Sequence, residues 1–316
     1  MRRRFKVMDL ISNVTLEEGY SFFVSAKRAE NISGKTLSTY DLHIRSYIDY
    51  VYKDYPDLFT VLLNDELYYS YVDYLRNSKT KKDVTITSYC RSVRAFLYWL
   101  QDNYYSEKYS LSLPKYQKTI KRTYTDEELS ILLSYRNDFT EVEYQAYVFI
   151  NLICATGLRL SSALNLHVND INFVTHELFV NYTKNNVAQM LYVNDDMINI
   201  LSRYINLFRL SGDDWLFCTA QGGRLAIRTI QDNVHAYNTR LGVNKTSIHL
   251  FRHTFAKNYY KTTKDIYALS RLLNHSSIAI TENYLRDLGI SSADSVAYNP
   301  QKQFNKTTKK RRGKIK

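Results

Sequence analysis

The residues best suited to chemistry lie in the second half of the chain, and all of them suit work on a phosphate group. In the segment HLFRHTF, His249 and Arg252 stand three residues apart, so one helical turn can present both side chains to one anion. Arg159 follows a Thr-Gly pair, and its guanidinium offers a planar fork of donors that fits two phosphate oxygens. In LLNHSSIAITENYL, His275 precedes Tyr284 by nine residues. Together these side chains could stabilise a pentavalent phosphate while a phenolic oxygen displaces a nucleotide oxygen.

Each of these signals is weak by itself. An isolated arginine is most often a surface residue, and a lone histidine or tyrosine in a helix is usually structural. The chain has 29 tyrosines, so composition alone selects no nucleophile. His253, next to Arg252, is predicted to point another way and to pack or orient the turn. The order of the whole set along the chain therefore carries the argument.

The elements that must position these residues form a second domain, predicted over residues 125–298. Thr125 has a glutamate three residues later, the spacing of a capping box, so a helix and the domain begin there. Alternating runs over 178–182 and 190–193 predict a β-hairpin with Lys184 at or near its turn. Helical periodicity dominates the rest of this part. The second domain is therefore predicted to be mostly helical with a small sheet.

The first third of the chain has a different organisation. Apolar residues recur at three- and four-residue steps over 37–51 and 86–100, which predicts amphipathic helices in a helical domain over 13–107. The segment 108–124 loses this period and contains Pro114. It is interpreted as a basic linker between the two domains.

The charge distribution favours a polyanionic partner. The formal net charge is +12 and the pI is near 9.3. Four cationic residues before residue 7 and eight from residue 302 onward account for this charge, which leaves residues 7–301 formally neutral. The ends are interpreted as a basic extension over 1–12 and a basic tail over 299–316. Any binding of DNA by the folded part must therefore depend on local clusters of lysine and arginine. The candidate DNA-binding residues are Lys79, Lys81, Lys82, Arg91, Arg94, Lys115, Lys118, Lys121 and Arg122.

Composition disfavours several classes of protein. Cys90, Cys154 and Cys218 are widely spaced and form neither a disulfide framework nor a zinc pattern, so a reducing cytoplasmic location is expected. The N-terminus lacks the apolar core of a secretory signal. The most apolar stretch, 146–155, is interrupted by Asn151 and is too short to span a bilayer, so no membrane association is expected.

Taken in order, these segments resemble the tyrosine recombinase or phage integrase family, over about residues 15 to 290. The family has an arginine in a TGLR segment, a lysine in a β-hairpin, a His-x-x-Arg box and a histidine nine residues before a tyrosine. The segments HLFRHTFA and LLNHSSIAITENYL resemble the family motifs in residue identity as well as in spacing. The resemblance implies a helical core-binding domain of the SAM-like type, followed by an α+β catalytic domain. The catalytic residues it implies are Tyr284, Arg159, Arg252, His249, His275 and Lys184.

The resemblance also implies a mechanism. Tyr284 would attack DNA and form a 3′-phosphotyrosine, with Lys184 protonating the departing 5′ oxygen and no metal, ATP or other cofactor needed. His249 would accept or relay the phenolic proton, and His275 would donate to a phosphate oxygen. The expected partners are double-stranded DNA, three further copies in a homotetramer on paired sites, and accessory factors that bend DNA or control direction. With no separate arm-binding domain expected before residue 13, the chain resembles the compact, Xer-like or mobile-element form.

Two departures from the family pattern stand out. The family usually has an acidic residue three positions after the first arginine, where this chain has Ser162. Its loss is expected to lower activity or to shift support of the site to another group. The glycine usual before the second histidine is Asn274, which adopts positive φ more readily than most residues.

Other functions remain open at this stage. A DNA-relaxing or telomere-resolving relative would use the same nucleophile. A DNA-binding regulator of the same fold with impaired catalysis would fit Ser162 and the unusual hairpin. A structural protein with basic ends would explain the charge but not the ordered motifs. Among recombinases, integration, excision, inversion and dimer resolution all fit.

Overall fold

The computed structural model describes residues 13–117, 119–181 and 187–290, and the chain divides into two compact units, Met1–Lys118 and Thr119–Lys316. As predicted, the architecture is mainly helical with a small sheet. The division falls within 108–124, whose described residues form neither helix nor strand. Within the described ranges, no helix has the length and apolar character needed to cross a membrane.

The first unit is a helical bundle. Its described residues form α1 (Leu16–Ala29), α2 (Gly34–Tyr52), a 3-10 turn (Thr60–Leu62), α3 (Asp65–Asn77) and α4 (Asp83–Asp102). Side-chain oxygens of Thr15, Ser33 and Asn64 accept hydrogen bonds from the first turns of α1, α2 and α3. The helices predicted over 37–51 and 86–100 are confirmed within α2 and α4. Their apolar faces meet in a core that includes Phe23, Tyr47, Tyr71, Phe96 and Leu97.

The second unit is built around one buried helix. Its described helices are α5 (Asp126–Leu132), α6 (Glu141–Thr156), α7 (Leu160–Ala163), a 3-10 turn (Val168–Asp170), α8 (Asp195–Phe208), α9 (Ile227–Arg240), α10 (Ile248–Thr263), α11 (Ile266–Leu272) and α12 (Ile278–Asp287). Helix α5 begins at the predicted capping box, in which Thr125 and Glu128 exchange hydrogen bonds between side chain and backbone. The apolar surface of α6 packs against α8, α9 and α10.

A small antiparallel sheet stands beside these helices. Strands β1 (Ile171–Asn172), β2 (Glu177–Val180) and β3 (Gln189–Tyr192) pair in the order β1-β2-β3. Leu178 pairs with Leu191 on the buried face, while Phe179 pairs with Met190 on the exposed face. This is the two-residue period that predicted the hairpin. Lys184 lies outside the described residues, so its position stays a prediction.

A separate apolar cluster holds the last helices of the second unit together. Its buried members are Ala256, Leu269, Leu273, Leu285 and Leu288, from α10, α11 and α12 and the residues that end the latter two helices. Complete burial of a leucine side chain contributes about 1.5–3 kcal/mol. Helices α10, α11 and α12 are therefore fixed against one another, and the residues expected to do chemistry extend from this group.

Candidate active site

Tyr284 lies on α12 directly before the buried Leu285, with its own side chain partly buried against the apolar cluster. Burial raises the pKa of Tyr284 above the ordinary value of about 10, while the charges of Arg252 and Arg159 act in the opposite direction. The phenol is therefore protonated at neutral pH. It needs a proton acceptor before its oxygen can attack.

Arg252 is positioned by two backbone carbonyl groups. Its side chain belongs to α10, is only 7% exposed, and donates to the carbonyl oxygens of Gly157 and, at 2.9 Å, Leu273. Gly157 ends α6 with φ +66, and a Cβ there would collide with the Phe255 ring, so the close approach requires glycine. Burial lowers the pKa of Arg252 to about 10, which still leaves the guanidinium charged at neutral pH.

Arg159 approaches the same place from the residue before α7. Its two terminal nitrogens, Nη1 and Nη2, donate to the carbonyl oxygen of Asn274 at 3.4 and 3.3 Å. Asn274 has φ +48, so asparagine takes the left-handed conformation that the sequence comparison anticipated at this position. Burial lowers the pKa of Arg159, and the neighbouring Tyr284 acts in the opposite direction.

Among the residues that the structure describes, these two guanidiniums have carbonyl partners but no carboxylate partner. Within residues 13–117, 119–181 and 187–290, neither Arg159 nor Arg252 forms a salt bridge. Ser162, at the position where an acid was expected from the family pattern, is 3% exposed. Buried charges are normally paired, because removing an ion from water is costly. Two adjacent unpaired cations therefore suit an anionic ligand.

His275 lies at the start of the turn between α11 and α12. Its Nδ1 is 2.9 Å from Oγ1 of the fully buried Thr281, and its ring stands edge-on to the Tyr284 ring at 5.5 Å between centroids. Burial, with the charges of Arg252 and Arg159, lowers the pKa of His275 to about 4. The imidazole is therefore neutral at pH 7, and its Nε2 is the nitrogen that can face a phosphate.

His253 was predicted to point away from the site, and this prediction is wrong. Its Nδ1 lies 2.5 Å from Oη of Tyr284, and the two rings are 5.1 Å apart. His249, the histidine predicted to take the phenolic proton, begins the same helix and is exposed. The signal that could have identified His253 is its place beside Arg252 in the same turn of α10.

Gln189, at the start of β3, and the nearby Val187 contact the end of α11 and the loop that carries His275. The Nε2 of Gln189 donates to the carbonyl oxygens of Arg271 and Leu272 at 2.9 and 3.0 Å. The side chain of Asn274 donates to the carbonyl oxygen of Val187 at 3.1 Å. These bonds tie the sheet to the site.

The predicted DNA-binding residues occupy several environments. In the first unit, Arg94 donates to the carbonyl oxygen of Leu111, and the Lys81 ammonium lies 5.2 Å from the centroid of the Tyr89 ring. In the second unit, Lys121 forms a salt bridge with a residue of α12. Lys118 lies outside the described residues. The remaining five candidates are exposed: Lys79, Lys82, Arg91, Lys115 and Arg122.

A partly buried tyrosine lies among two arginines and two histidines, on a mainly helical unit with a small sheet. This arrangement is suited to attack by a phenol on a phosphodiester. The chain belongs to the phage integrase family, whose model matches residues 121–288, more than half of the sequence. The match includes all the described residues of the candidate site.

Relatives along nearly the full length carry recombinase names. The chain is 24% identical over 282 residues to tyrosine recombinase XerD of Staphylococcus epidermidis, covering 85% of this chain and 93% of that protein. It is 26% identical over 286 residues to tyrosine recombinase XerC of Leptospira interrogans, covering 87% and 90%.

Solved structures support the fold. The integrase of transposon Tn1549, in complex with transposon right end DNA, has a TM-score of 0.69 at 17% identity and covers 90% of this chain and 100% of that chain. The XerH recombinase bound to its difH substrate has a TM-score of 0.62 at 18% identity, covering 84% and 81%. At these identities the likeness concerns the fold alone.

Proposed function

We propose that the chain is a site-specific DNA recombinase that cuts and rejoins DNA through a 3′-phosphotyrosine intermediate. The observation that carries the proposal is the convergence of Tyr284 with Arg159 and Arg252, two cations that have carbonyl partners and no carboxylate partner among the described residues. Such a site attracts a phosphodiester and has a hydroxyl ready beside it. The family membership supports the same function.

In the proposed cleavage step, Oη of Tyr284 gives up its proton to a histidine of α10 and forms a bond to phosphorus, and the bond from phosphorus to the 5′ oxygen breaks. Arg159 and Arg252 hold the non-bridging oxygens and stabilise the charge of the trigonal-bipyramidal transition state. Removing one such donor group from an active site raises the activation free energy by about 2.7–4 kcal/mol. His275 donates to a phosphate oxygen. Lys184 protonates the departing oxygen, a role that rests on the sequence alone.

The diester energy is retained in the phosphotyrosine bond, so attack by a 5′ hydroxyl of a partner strand reseals DNA. The step as proposed uses neither ATP nor a metal. Exposed Lys79, Lys82, Arg91, Lys115 and Arg122 are the proposed contacts to the DNA backbone.

The assembly proposed for strand exchange is a homotetramer on two paired DNA sites, acting in the cytoplasm. Relatives named XerC and XerD, and solved integrases and recombinases in complex with DNA, support a double-stranded DNA partner. Accessory factors that bend DNA or set direction, and an origin in a mobile element, are proposals from the sequence.

Covalent trapping tests the proposal. Wild-type protein is incubated with nicked duplexes taken from the DNA that flanks the gene, and SDS-resistant adducts are mapped. We expect adducts at a 3′ phosphate for wild type and for Tyr267→Phe, an exposed control tyrosine on α11, and none for Tyr284→Phe. Adducts that persist in Tyr284→Phe would assign the nucleophile elsewhere.

The buried Ser162 favours a second candidate, a DNA-binding regulator of the same fold with impaired catalysis. Because an acidic residue usually supports the site at this position, its loss could leave a protein that binds DNA without cutting it. Specific binding of flanking DNA with no adduct from wild type, over a wide range of pH and time, would favour the regulator.

A further inference from the structure

Two histidines, His253 and His275, lie against the ring of Tyr284, and a third, His249, precedes His253 by one turn of α10. His275 directs its Nδ1 to Thr281 at 2.9 Å, and His249 is exposed at the start of α10. His253 alone among the three is hydrogen-bonded to the phenolic oxygen within the described residues, with Nδ1 2.5 Å from Oη of Tyr284. A group that removes a proton must lie within hydrogen-bond reach of it.

On the basis of the proposed function, we infer that His253 is a catalytic residue that accepts the proton of Tyr284 as its oxygen attacks phosphorus. The Oη–P bond forms, the bond from phosphorus to the 5′ oxygen breaks, and the phenolic proton moves to Nδ1, which makes His253 an imidazolium. The departing 5′ oxygen takes its proton from a separate acid. On resealing, the imidazolium returns its proton to the phenolate as the phosphotyrosine bond breaks.

The surroundings of His253 keep its ring uncharged. Burial lowers the pKa of His253 to about 4, and the charges of Lys121, His249 and Arg252 act in the same direction, against Asp287. The ring is therefore neutral at pH 7, with one nitrogen able to accept. A bound phosphodiester would offset the charge of Arg252 and raise the basicity of His253. The acceptor would thus strengthen when DNA is in place.

His253 could instead only position Tyr284, and two substitutions distinguish this role from that of a proton acceptor. His253→Asn keeps a polar atom near the place of Nδ1 but has no basicity, while His253→Phe removes the polar atom and keeps a ring. If His253 accepts the proton, both variants should cleave about a hundredfold or more slowly in a single turnover on a nicked duplex. If His253 only positions Tyr284, His253→Asn should cleave at nearly the wild-type rate.

Two further readouts isolate the step. The rate lost in His253→Asn should partly return as pH rises, because solvent base then takes the phenolic proton. The defect should persist on a duplex with a 5′-bridging sulfur at the cut site, because a thiolate leaves without an acid. His235→Asn, on exposed α9 surface, is the matched control and should cleave as wild type does.

The outcomes are distinguishable. No adduct from wild type would overturn the proposed function and the role of His253 with it. Adducts from wild type together with full speed in His253→Asn would overturn the role of His253 alone. Should both variants fail to fold, the ¹⁵N resonances of His253 in wild type decide: an unprotonated Nδ1 supports the assignment, and a protonated Nδ1 that donates to Tyr284 overturns it.

Discussion

Lys121 is bonded to Asp287 at two points. The backbone N–H of Lys121 donates to the carbonyl oxygen of Asp287 at 2.8 Å, and its Nζ lies 3.2 Å from the carboxylate. The same ammonium is 5.6 Å from the centroid of the Tyr284 ring, three residues earlier on α12. A residue predicted from its charge to contact DNA therefore holds the end of the helix that carries the nucleophile.

Lys121→Ala should slow cleavage by about twofold to fivefold, because a partly exposed ion pair contributes about 1 kcal/mol or less. Single-turnover cleavage by the DNA-bound protein measures this change separately from affinity. Asp287→Ala should have a similar effect, and the double variant little more, because the two side chains form one interaction. Lys261→Ala, an exposed lysine on α10, serves as the control. Additive losses would show that the pair does not act as a unit.

Thr281→Val should slow cleavage about tenfold, because it removes the hydroxyl that orients His275 and keeps the shape of the side chain. Leaving a buried polar atom without its partner costs about 1–3 kcal/mol, so the melting temperature should also fall. Thr281→Ser retains the hydroxyl and should restore most of the rate. Ser162→Ala should change the rate by no more than about twofold if support has moved from position 162 to Thr281. An equal loss in Ser162→Ala would contradict that shift.

Much of the fold could be predicted from sequence, because periodic apolar residues and capping boxes are local signals. The capping box at Thr125 and the alternation over 178–182 and 190–193 each identified a real element. The TGLR segment and the two histidine motifs likewise predicted that Arg159, Arg252 and Tyr284 belong to one site.

Contacts between residues that are far apart in the sequence could not be predicted from local patterns. Helical spacing groups His249 with Arg252, yet the residue of α10 that is hydrogen-bonded to the phenolic oxygen of Tyr284 is His253. The relative rotation of α10 and α12 decides which side chain meets the phenol. That rotation is set by the apolar cluster in which Ala256 of α10 and Leu285 of α12 are both buried. The salt bridge of Lys121 could not be predicted for a similar reason, since its partner is 166 residues away in the sequence.

Asn274→Gly should preserve the backbone at φ +48 and the carbonyl that receives Arg159, while it removes the bond to Val187. We expect a modest loss of cleavage, about twofold to fivefold, because the hairpin loses one tie to the site. Asn274→Ala should be worse in both cleavage and melting temperature, since a Cβ at positive φ adds strain of about 1 kcal/mol or more. Equal behaviour of the two variants would indicate that the side-chain bond, rather than the backbone conformation, is what matters.

Acid should destabilise the protein before its carboxylates titrate. The folded state lowers the pKa of His253 and of His275 to about 4 from the ordinary value of about 6.5, chiefly through burial. Between these values the unfolded chain binds protons that the folded chain does not, so the free energy of unfolding rises with pH across this window and falls as pH drops through it. The pKa values of His249 and of His43, a buried residue of α2, are lowered as well, so both histidines add to this dependence on pH.

The measurement is the urea midpoint at several values between pH 5 and pH 7.5, for wild type and for His275→Gln. Removing one histidine that the fold keeps neutral should flatten the dependence on pH, because the unfolded chain then has one fewer proton to gain. His235→Asn, which alters an exposed ring, should leave the slope as it is in wild type. If the urea midpoint depends on pH equally in wild type and His275→Gln, burial does not keep His275 neutral. The assignment of a neutral imidazole beside Arg159 and Arg252 would then be wrong.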